Sequence, residues 1–371
     1  MKIQSLHIQN ITVFEDQTFD FCDGINVFIG ANSTGKTHAL KAMYWLAYVA
    51  KRMALDPVSG DLNGSEGPTD TGTEEKFRDL GYLQDYFRPT NRDIARLVRS
   101  RDKERANSDN IVVKTDVGPV WGSMIGNGVV GVTKEDGWET AWRTANPLYF
   151  TTREMLTLFP GFVAAWDKRE SGFDRTYRDI CVSLDLEPLR EGGLSPESAS
   201  LIADLTRILG GPVRRDERGF YIEYPDGKWL EAHLLAEGHR KLAMLVRLIA
   251  NGEIGRGTLL FWDEPESSLN PRLITQVAKT IRQLAAAGVQ VFLATHDYLL
   301  TAELSLAAKY DEHAPPTRFF AFHREKPQEP VAVEVGKSIA DLQHNPIVEE
   351  FAAHYDRERD AFYRSAKAVG G

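Results

Sequence analysis

The chain has 371 residues, of which 42% are apolar and 26% charged, and a formal net charge of −9. That composition fits a globular chain with a sizeable core and excludes a disordered or collagen-like polymer. The acidic balance argues against a uniformly basic nucleic-acid binder and leaves room only for a local basic patch.

The longest apolar run, residues 42–50, is nine residues, well short of the ~20 that span a bilayer. Residues 1–5 lead into an alternating pattern, not a signal-peptide core. Two cysteines, Cys22 and Cys181, supply neither a disulfide framework nor a paired-cysteine metal site. A cytoplasmic chain with no membrane partner is the expectation.

Residues 3–13 alternate, with Ile3, Leu6, Ile8 and Ile11 among polar neighbours, which predicts one or two half-buried strands. Residues 25–29, bounded by Asp23-Gly24 and Gly30, predict a buried strand. Residues 37–55 predict a helix with Leu40, Met43, Tyr44, Ala47 and Tyr48 on one face. Residues 56–73, dominated by Asp, Gly, Ser, Pro, Asn and Thr, read as a mobile loop. Residues 74–105 read as a charged helix whose arginines form either a solvated face or a phosphate-contacting surface. Short β-like runs at 111–113, 129–132 and 148–150, with glycines between them, predict hairpins.

Helices are expected across 154–210, closed by Gly210-Gly211-Pro212. A hairpin should follow, with 220–224 as one strand, Pro225-Asp226-Gly227 as the turn and Trp229-Leu230 in the return. Then come a helix at 238–250, a strand at 258–262, a helix at 271–287 and a buried strand at 289–294. Late strands at 318–323 and 331–335 precede a polar helical tail from 337. There is no internal repeat and no long heptad run.

Three motifs carry chemistry. Gly30-Ala31-Asn32-Ser33-Thr34-Gly35-Lys36-Thr37 fits GxxxxGK[ST], after a predicted strand and before a predicted helix. Glycines let backbone N–H groups curl around phosphate oxygens, and the new helix points its positive end at the anion. Lys36 adds a mobile charge for the β- and γ-phosphates, and the Thr37 hydroxyl can ligate Mg²⁺. The nucleotide-binding set runs from Gly30 through Ala31, Asn32, Ser33, Thr34, Gly35, Lys36 and Thr37 to His38. The second motif is an apolar strand ending in Asp263-Glu264-Pro265. Strand neighbours face opposite sides, so two adjacent acids that act together must sit where the chain turns. Asp263 is placed to hold Mg²⁺ and Glu264 to polarise an attacking water. The third is the strand end Leu293-Ala294-Thr295-His296, with His296 as a γ-phosphate sensor. Lys36, Glu264 and His296 are the expected catalytic residues.

In this order the motifs resemble those of ABC-type ATPases, and more narrowly the SMC/Rad50/RecF/OLD-like AAA-type group. Glu264-Pro265-Glu266-Ser267-Ser268-Leu269-Asn270-Pro271 resembles the group's extended Walker B and D-loop. Leu148-Tyr149-Phe150-Thr151-Thr152-Arg153-Glu154 is similar to its strand before the Q-loop, with Glu154 in place of the usual Gln. The resemblance covers residues 1–50 and about 145–340. It implies an α/β P-loop NTPase fold, two-lobed and ABC-type, with an antiparallel β-layer from 1–22 and 110–140 and a helical lobe. It also implies a mostly parallel sheet carrying 25–29, 258–262 and 289–294. The chain divides on this reading into an N-terminal lobe, 1–154, with the P-loop and an insertion at 56–140. A helical lobe and hairpin follow at 155–235, and the rest, 236–371, carries the signature-like helix, Walker B, the His switch and the tail. ATP and Mg²⁺ are the implied ligands, with Thr37, Asp263 and Glu154 around the metal.

One departure stands out. Where the group carries LSGGQ or LSGGE, this chain reads Leu235-Ala236-Glu237-Gly238-His239-Arg240-Lys241. Ala236 replaces the serine that touches a partner's γ-phosphate, leaving Gly238, His239 and Arg240 as candidate contacts across a dimer. About 200 residues separate the P-loop from this region, too few for a coiled-coil arm, and about 75 follow His296, too few for a large nuclease module. The expectation is an ATPase that forms a homodimer or higher assembly around ATP and controls a separate effector, a nuclease or toxin, or nucleic acid, in anti-phage defence or DNA repair. The alternatives are an ABC transporter ATPase subunit and an ATP-locked scaffold with little turnover. Residues 88–105 are the candidate nucleic-acid surface.

Overall fold

The computed structural model describes residues 1–55, 74–77, 80–90, 93, 96–99, 110–123, 129–168, 171–190, 192–326 and 328–369. The chain opens with strands β1 (Ile3–Ile11), β2 (Phe14–Asp20) and β3 (Ile25–Gly30), then helix α1 (Lys36–Leu55). Next come β4 (Glu74–Phe77), α2 (Leu80–Phe87), β5 (Asn110–Thr115), β6 (Gly118–Ser123), β7 (Val129–Thr133), α3 (Trp138–Thr144) and β8 (Asn146–Phe150). Helices α4 (Phe159–Asp167), α5 (Arg175–Asp185) and α6 (Pro196–Leu209) lead to strands β9 (Val213–Asp216), β10 (Gly219–Glu223) and β11 (Trp229–Glu231). The last part comprises α7 (Glu237–Ala250), β12 (Thr258–Asp263), α8 (Pro271–Ala286), β13 (Gln290–Thr295), α9 (Tyr298–Tyr310), β14 (Thr317–His323), β15 (Ala332–Gly336) and α10 (Pro346–Val369).

Two six-stranded sheets organise these elements. The central one runs β15-β14-β3-β13-β12-β8, parallel throughout except for β15 at its edge. Its inner strands are apolar at consecutive positions because both faces are covered. Ile25, Val27, Ile29, Leu260, Trp262, Val291 and Leu293 enter one core, with α7 and α8. Phe28, Leu259, Phe261 and Phe292 enter the other, with α1 and the second sheet. That second sheet is antiparallel, in the order β2-β1-β5-β6-β7-β4.

Helix α1 lies between the sheets, which explains the run at 42–50. The expected single apolar face is too narrow: Ala42, Met43, Tyr44, Trp45, Leu46 and Ala47 are all buried. Tyr44 packs on Phe261 of the parallel sheet. On the other side, a Cβ at Gly122 of β6 would sit 2.6 Å from the Trp45 ring, so only glycine admits that indole. Gln290, fully buried, ties the sheets together: its amide accepts from Ile3 N at 2.8 Å and donates to Ile3 O at 2.8 Å and Cys22 O at 3.0 Å.

Several expectations are corrected. Residues 74–105 are not one helix. Glu74–Phe77 is an edge strand on β7, where ladder pairing overrides helical propensity, and a helix forms at Leu80–Phe87. Within 110–150, Trp138–Thr144 is a helix, not part of a hairpin; it starts after Gly137 at φ 80° and buries Trp138 and Trp142, four residues apart. The hairpin at 219–231 gains a third strand, β9. The loop expected at 56–73 lies outside the described residues.

Candidate nucleotide site

The phosphate loop joins β3 to α1 at the carboxyl ends of the parallel strands, where open α/β sheets place their ligands. Its shape depends on backbone conformations that favour glycine. Gly30 has φ 153°, and a Cβ there would lie 2.5 Å from Phe322 O; Gly35 has φ 95° with Val13 and Phe14 against it. Ser33 takes φ 63° without being glycine, a strained conformation of the kind found at ligand clamps. Thr34 is buried and donates to Ala31 O at 2.8 Å, while Ala31, Asn32, Ser33 and His38 are exposed. The His38 ring lies 5.7 Å from that of Phe87. The Lys36 ammonium bends back across the loop to Gly30 O at 2.7 Å and Ala31 O at 2.8 Å.

The acidic strand end meets this loop. Thr37 Oγ1 lies 3.1 Å from Asp263 Oδ1, and Tyr149 of β8 donates to Asp263 Oδ2 at 3.3 Å. Burial first, and then the neighbouring Glu264 charge, push the Asp263 carboxyl above its usual range. Burial likewise lowers the Lys36 ammonium, against the pull of Asp263, Glu264 and Glu266. Thr37 and Asp263 thus offer a hard-oxygen pair beside a glycine-shaped loop, a donor set that fits Mg²⁺ with a nucleotide phosphate.

Glu264 sits at φ 47°, in the left-handed region that a non-glycine residue seldom occupies. That turn separates its carboxylate from the Asp263 side chain and leaves it accessible, 3.5 Å from His296 Nδ1. His296 follows β13, so two neighbouring parallel strands place the acid and the histidine side by side. Glu266, which the motif reading gave no role, holds this arrangement: it is 7% exposed and accepts from Thr295 Oγ1 at 2.7 Å and His296 N at 3.1 Å. The signal was the third acid of the run, two residues beyond Glu264.

The signature-like segment meets the site from behind. Lys241 is 2% exposed and donates to Glu264 O and Ser267 O, both at 3.0 Å; burial lowers its pKa to about 8. Gly238 packs beneath the 264–271 segment, where a Cβ would lie 3.0 Å from Leu269 and 3.1 Å from Ser268 O. Its place is therefore set by packing within the chain. His239 is half-buried beside it. Arg240 pairs with Glu154 at 2.9 Å and donates to Leu235 O at 3.0 Å. Glu154 also accepts from Thr157 Oγ1 at 2.5 Å. Glu154 is thus an ion-pair partner of Arg240, and Arg240 is engaged within its own chain.

Of the candidate basic surface, Arg88 donates to Ser171 O and Phe173 O, and Arg99 to Val13 O and Gln328 O. Both serve internal contacts. Residues 91, 92, 94, 95 and 100–105 lie outside the described residues.

A parallel sheet with a phosphate loop, an acidic strand end and a histidine on the next strand defines a P-loop NTPase of ABC type. Comparison with known proteins narrows the class. Residues 5–117 match a family model described as an AAA domain, and residues 155–302 match one described as AAA domain, putative AbiEii toxin, Type IV TA system. The fold is similar to the crystal structure of an Smc head bound to the C-winged helix domain of ScpA, with a TM-score of 0.53 and 12% identity over 92% of this chain and 99% of that one. It is similar to the Smc head with an extended coiled coil from Pyrococcus furiosus, also at 0.53, with 11% identity over 95% and 99%. At these identities the likeness is one of fold. In sequence, 47 residues are 38% identical to the DNA replication and repair protein RecF of Lactococcus lactis, 13% of either chain. A further 96 residues are 29% identical to the octopine permease ATP-binding protein P of Rhizobium radiobacter, 24% of this chain and 35% of that one. The chain thus spans only a minor part of these curated relatives. Two separate segments thus match AAA domains, and the fold is like that of the Smc heads. Among the described residues no helix is long and apolar enough to cross a membrane.

Proposed function

We propose that the chain binds ATP–Mg²⁺ and hydrolyses it, and that two copies close around the nucleotide to control a separate effector. The observation that carries this reading is the meeting of Thr37 and Asp263 beside the Lys36 loop, with Glu264 facing His296. Mg²⁺ at Thr37 and Asp263 would screen the phosphate charge. Lys36 turns from the Gly30 and Ala31 carbonyls to the β- and γ-phosphates. Glu264 orients the attacking water and takes its proton, and His296 steadies that carboxylate and the γ-phosphate.

The effector is read as a nuclease or toxin, in anti-phage defence or DNA repair. The likeness of residues 155–302 to an AAA domain described as a putative AbiEii toxin of a type IV toxin–antitoxin system supports the first role, and the RecF-like segment the second. An Smc head bound to a winged-helix partner is a precedent in this fold for control through a second protein. A cytoplasmic site of action goes with this reading. A scaffold that holds ATP with little turnover is the second reading, favoured by Ala236 in place of the signature serine and by the internal engagement of Gly238 and Arg240.

The test measures mass in solution for Glu264→Gln with and without ATP–Mg²⁺. ATP-dependent doubling is expected, since the trapped state should be a symmetric dimer. Unchanged mass with ATP bound would reject the dimer.

A further inference from the structure

On the other side of β3 from the acidic strand end, three side chains converge that the nucleotide chemistry does not use. His323 ends β14, Glu334 lies on β15 and His344 precedes α10. One ligand atom from each lies within 4.8 Å of the others. Glu334 is fixed before any ion arrives: one oxygen accepts from Gln343 N at 2.8 Å and His344 N at 3.0 Å, and the other meets His344 Nδ1 at 2.5 Å. The two imidazoles stack with centroids 4.5 Å apart, although both are basic groups that would repel if protonated together. His323 Nδ1 is out of solvent and has no hydrogen-bond partner. A hydrogen-bonded carboxylate, a histidine paired to it and a second histidine with an unspent nitrogen form a donor set that suits a cation.

We infer that His323, Glu334 and His344 form a binding site for a divalent transition-metal ion, separate from the Thr37–Asp263 pair. The donor chemistry decides the class. Two imidazoles and one carboxylate suit Zn²⁺ and its first-row neighbours, whereas Mg²⁺ and Ca²⁺ take oxygen-only sets. Zn²⁺ bonds of ~2.0–2.2 Å in tetrahedral array place ligand atoms roughly 3.4 Å apart. The Glu334–His344 contact at 2.5 Å must therefore open by about 1 Å for both groups to hold one ion, and His344 is exposed, so its side chain has room to turn. Three protein ligands leave one position open to water, as in sites that exchange a ligand. The site also borders the phosphate loop: Phe322, one residue before His323, pairs with Gly30 in the strand register. An ion there would clamp β14, β15 and the approach to α10 at the edge of the nucleotide site.

The test is calorimetric titration of the full, chelator-stripped chain with Zn²⁺ alone. One equivalent is expected to bind. His323→Ala, His344→Ala and Glu334→Gln, each checked for native circular dichroism, should lose at least about tenfold in affinity. Lys36→Ala should bind Zn²⁺ as the wild type does, because the phosphate loop supplies no ligand. Absence of saturable binding by the wild type would overturn the inference. So would a loss below tenfold in both histidine variants, or loss of the signal in Lys36→Ala.

Discussion

Lys36 and Asp263 show how the site stores charge. Both are partly withdrawn from water, and burial moves each toward its neutral form. ATP–Mg²⁺ supplies the opposite charges, and its binding should be strong for that reason. Lys36→Ala removes the cation facing the phosphates, and a charge-assisted hydrogen bond contributes ~1.5–3 kcal/mol. A titration with a fluorescent ATP analogue should show affinity falling by about ten- to hundredfold. Affinity equal to wild type would remove Lys36 from the site. Lys36, Thr37, Asp263 and Glu264 were legible as candidates from two local patterns, the glycine-rich turn before a helix and the acidic strand end. Tyr149, Glu266 and Lys241 were not. Each acts by touching a motif residue from another strand or helix, and no local pattern records such a contact.

At the scale of elements, the start of α7 has a role within the chain: Gly238 and Lys241 face inward and hold the 264–271 segment. Lys241, the one buried lysine among the described residues, has a pH signature. Its folded pKa, about 8, lies below the usual 10.5. Between those values the unfolded chain binds more protons, so Lys241 contributes stability fully above pH ~10.5 and loses it as pH falls through ~8. Denaturant unfolding of wild type relative to Lys241→Met should show a stability difference that grows by up to ~3 kcal/mol from pH 8 to 10.5. A difference independent of pH would show that the ammonium is not withdrawn from water. The neighbouring α8 illustrates what sequence does specify: Asn270 caps it, accepting from Leu273 N at 3.0 Å, with Pro271 in the first turn. By contrast, β4 could not be read from Glu-Glu-Lys-Phe, because only the open edge of β7 makes those residues a strand.

For the whole molecule, the two sheets must move as one if the phosphate loop, carried by β3 and α1, is to stay aligned with β12. Gln290 is the latch, bonding Ile3 next to the point, at Ser5, where the pairing of β1 with β2 begins. Gln290→Leu keeps the volume and leaves a buried N–H and carbonyl unpaired, which should cost about 2–4 kcal/mol in denaturant unfolding. A cost near zero would mean that β1 finds other partners. The parallel sheet was legible because its strands are apolar on both faces; the position of α1 between sheets was legible only as an unexplained apolar run. The central claim, that this scaffold hydrolyses ATP through Glu264, is tested most directly by single-turnover hydrolysis of wild type against Glu264→Gln at saturating Mg²⁺. Glutamine keeps the shape and loses the base, so turnover should fall ~10²–10⁴-fold while ATP stays bound. Equal turnover in the two proteins would contradict the assignment.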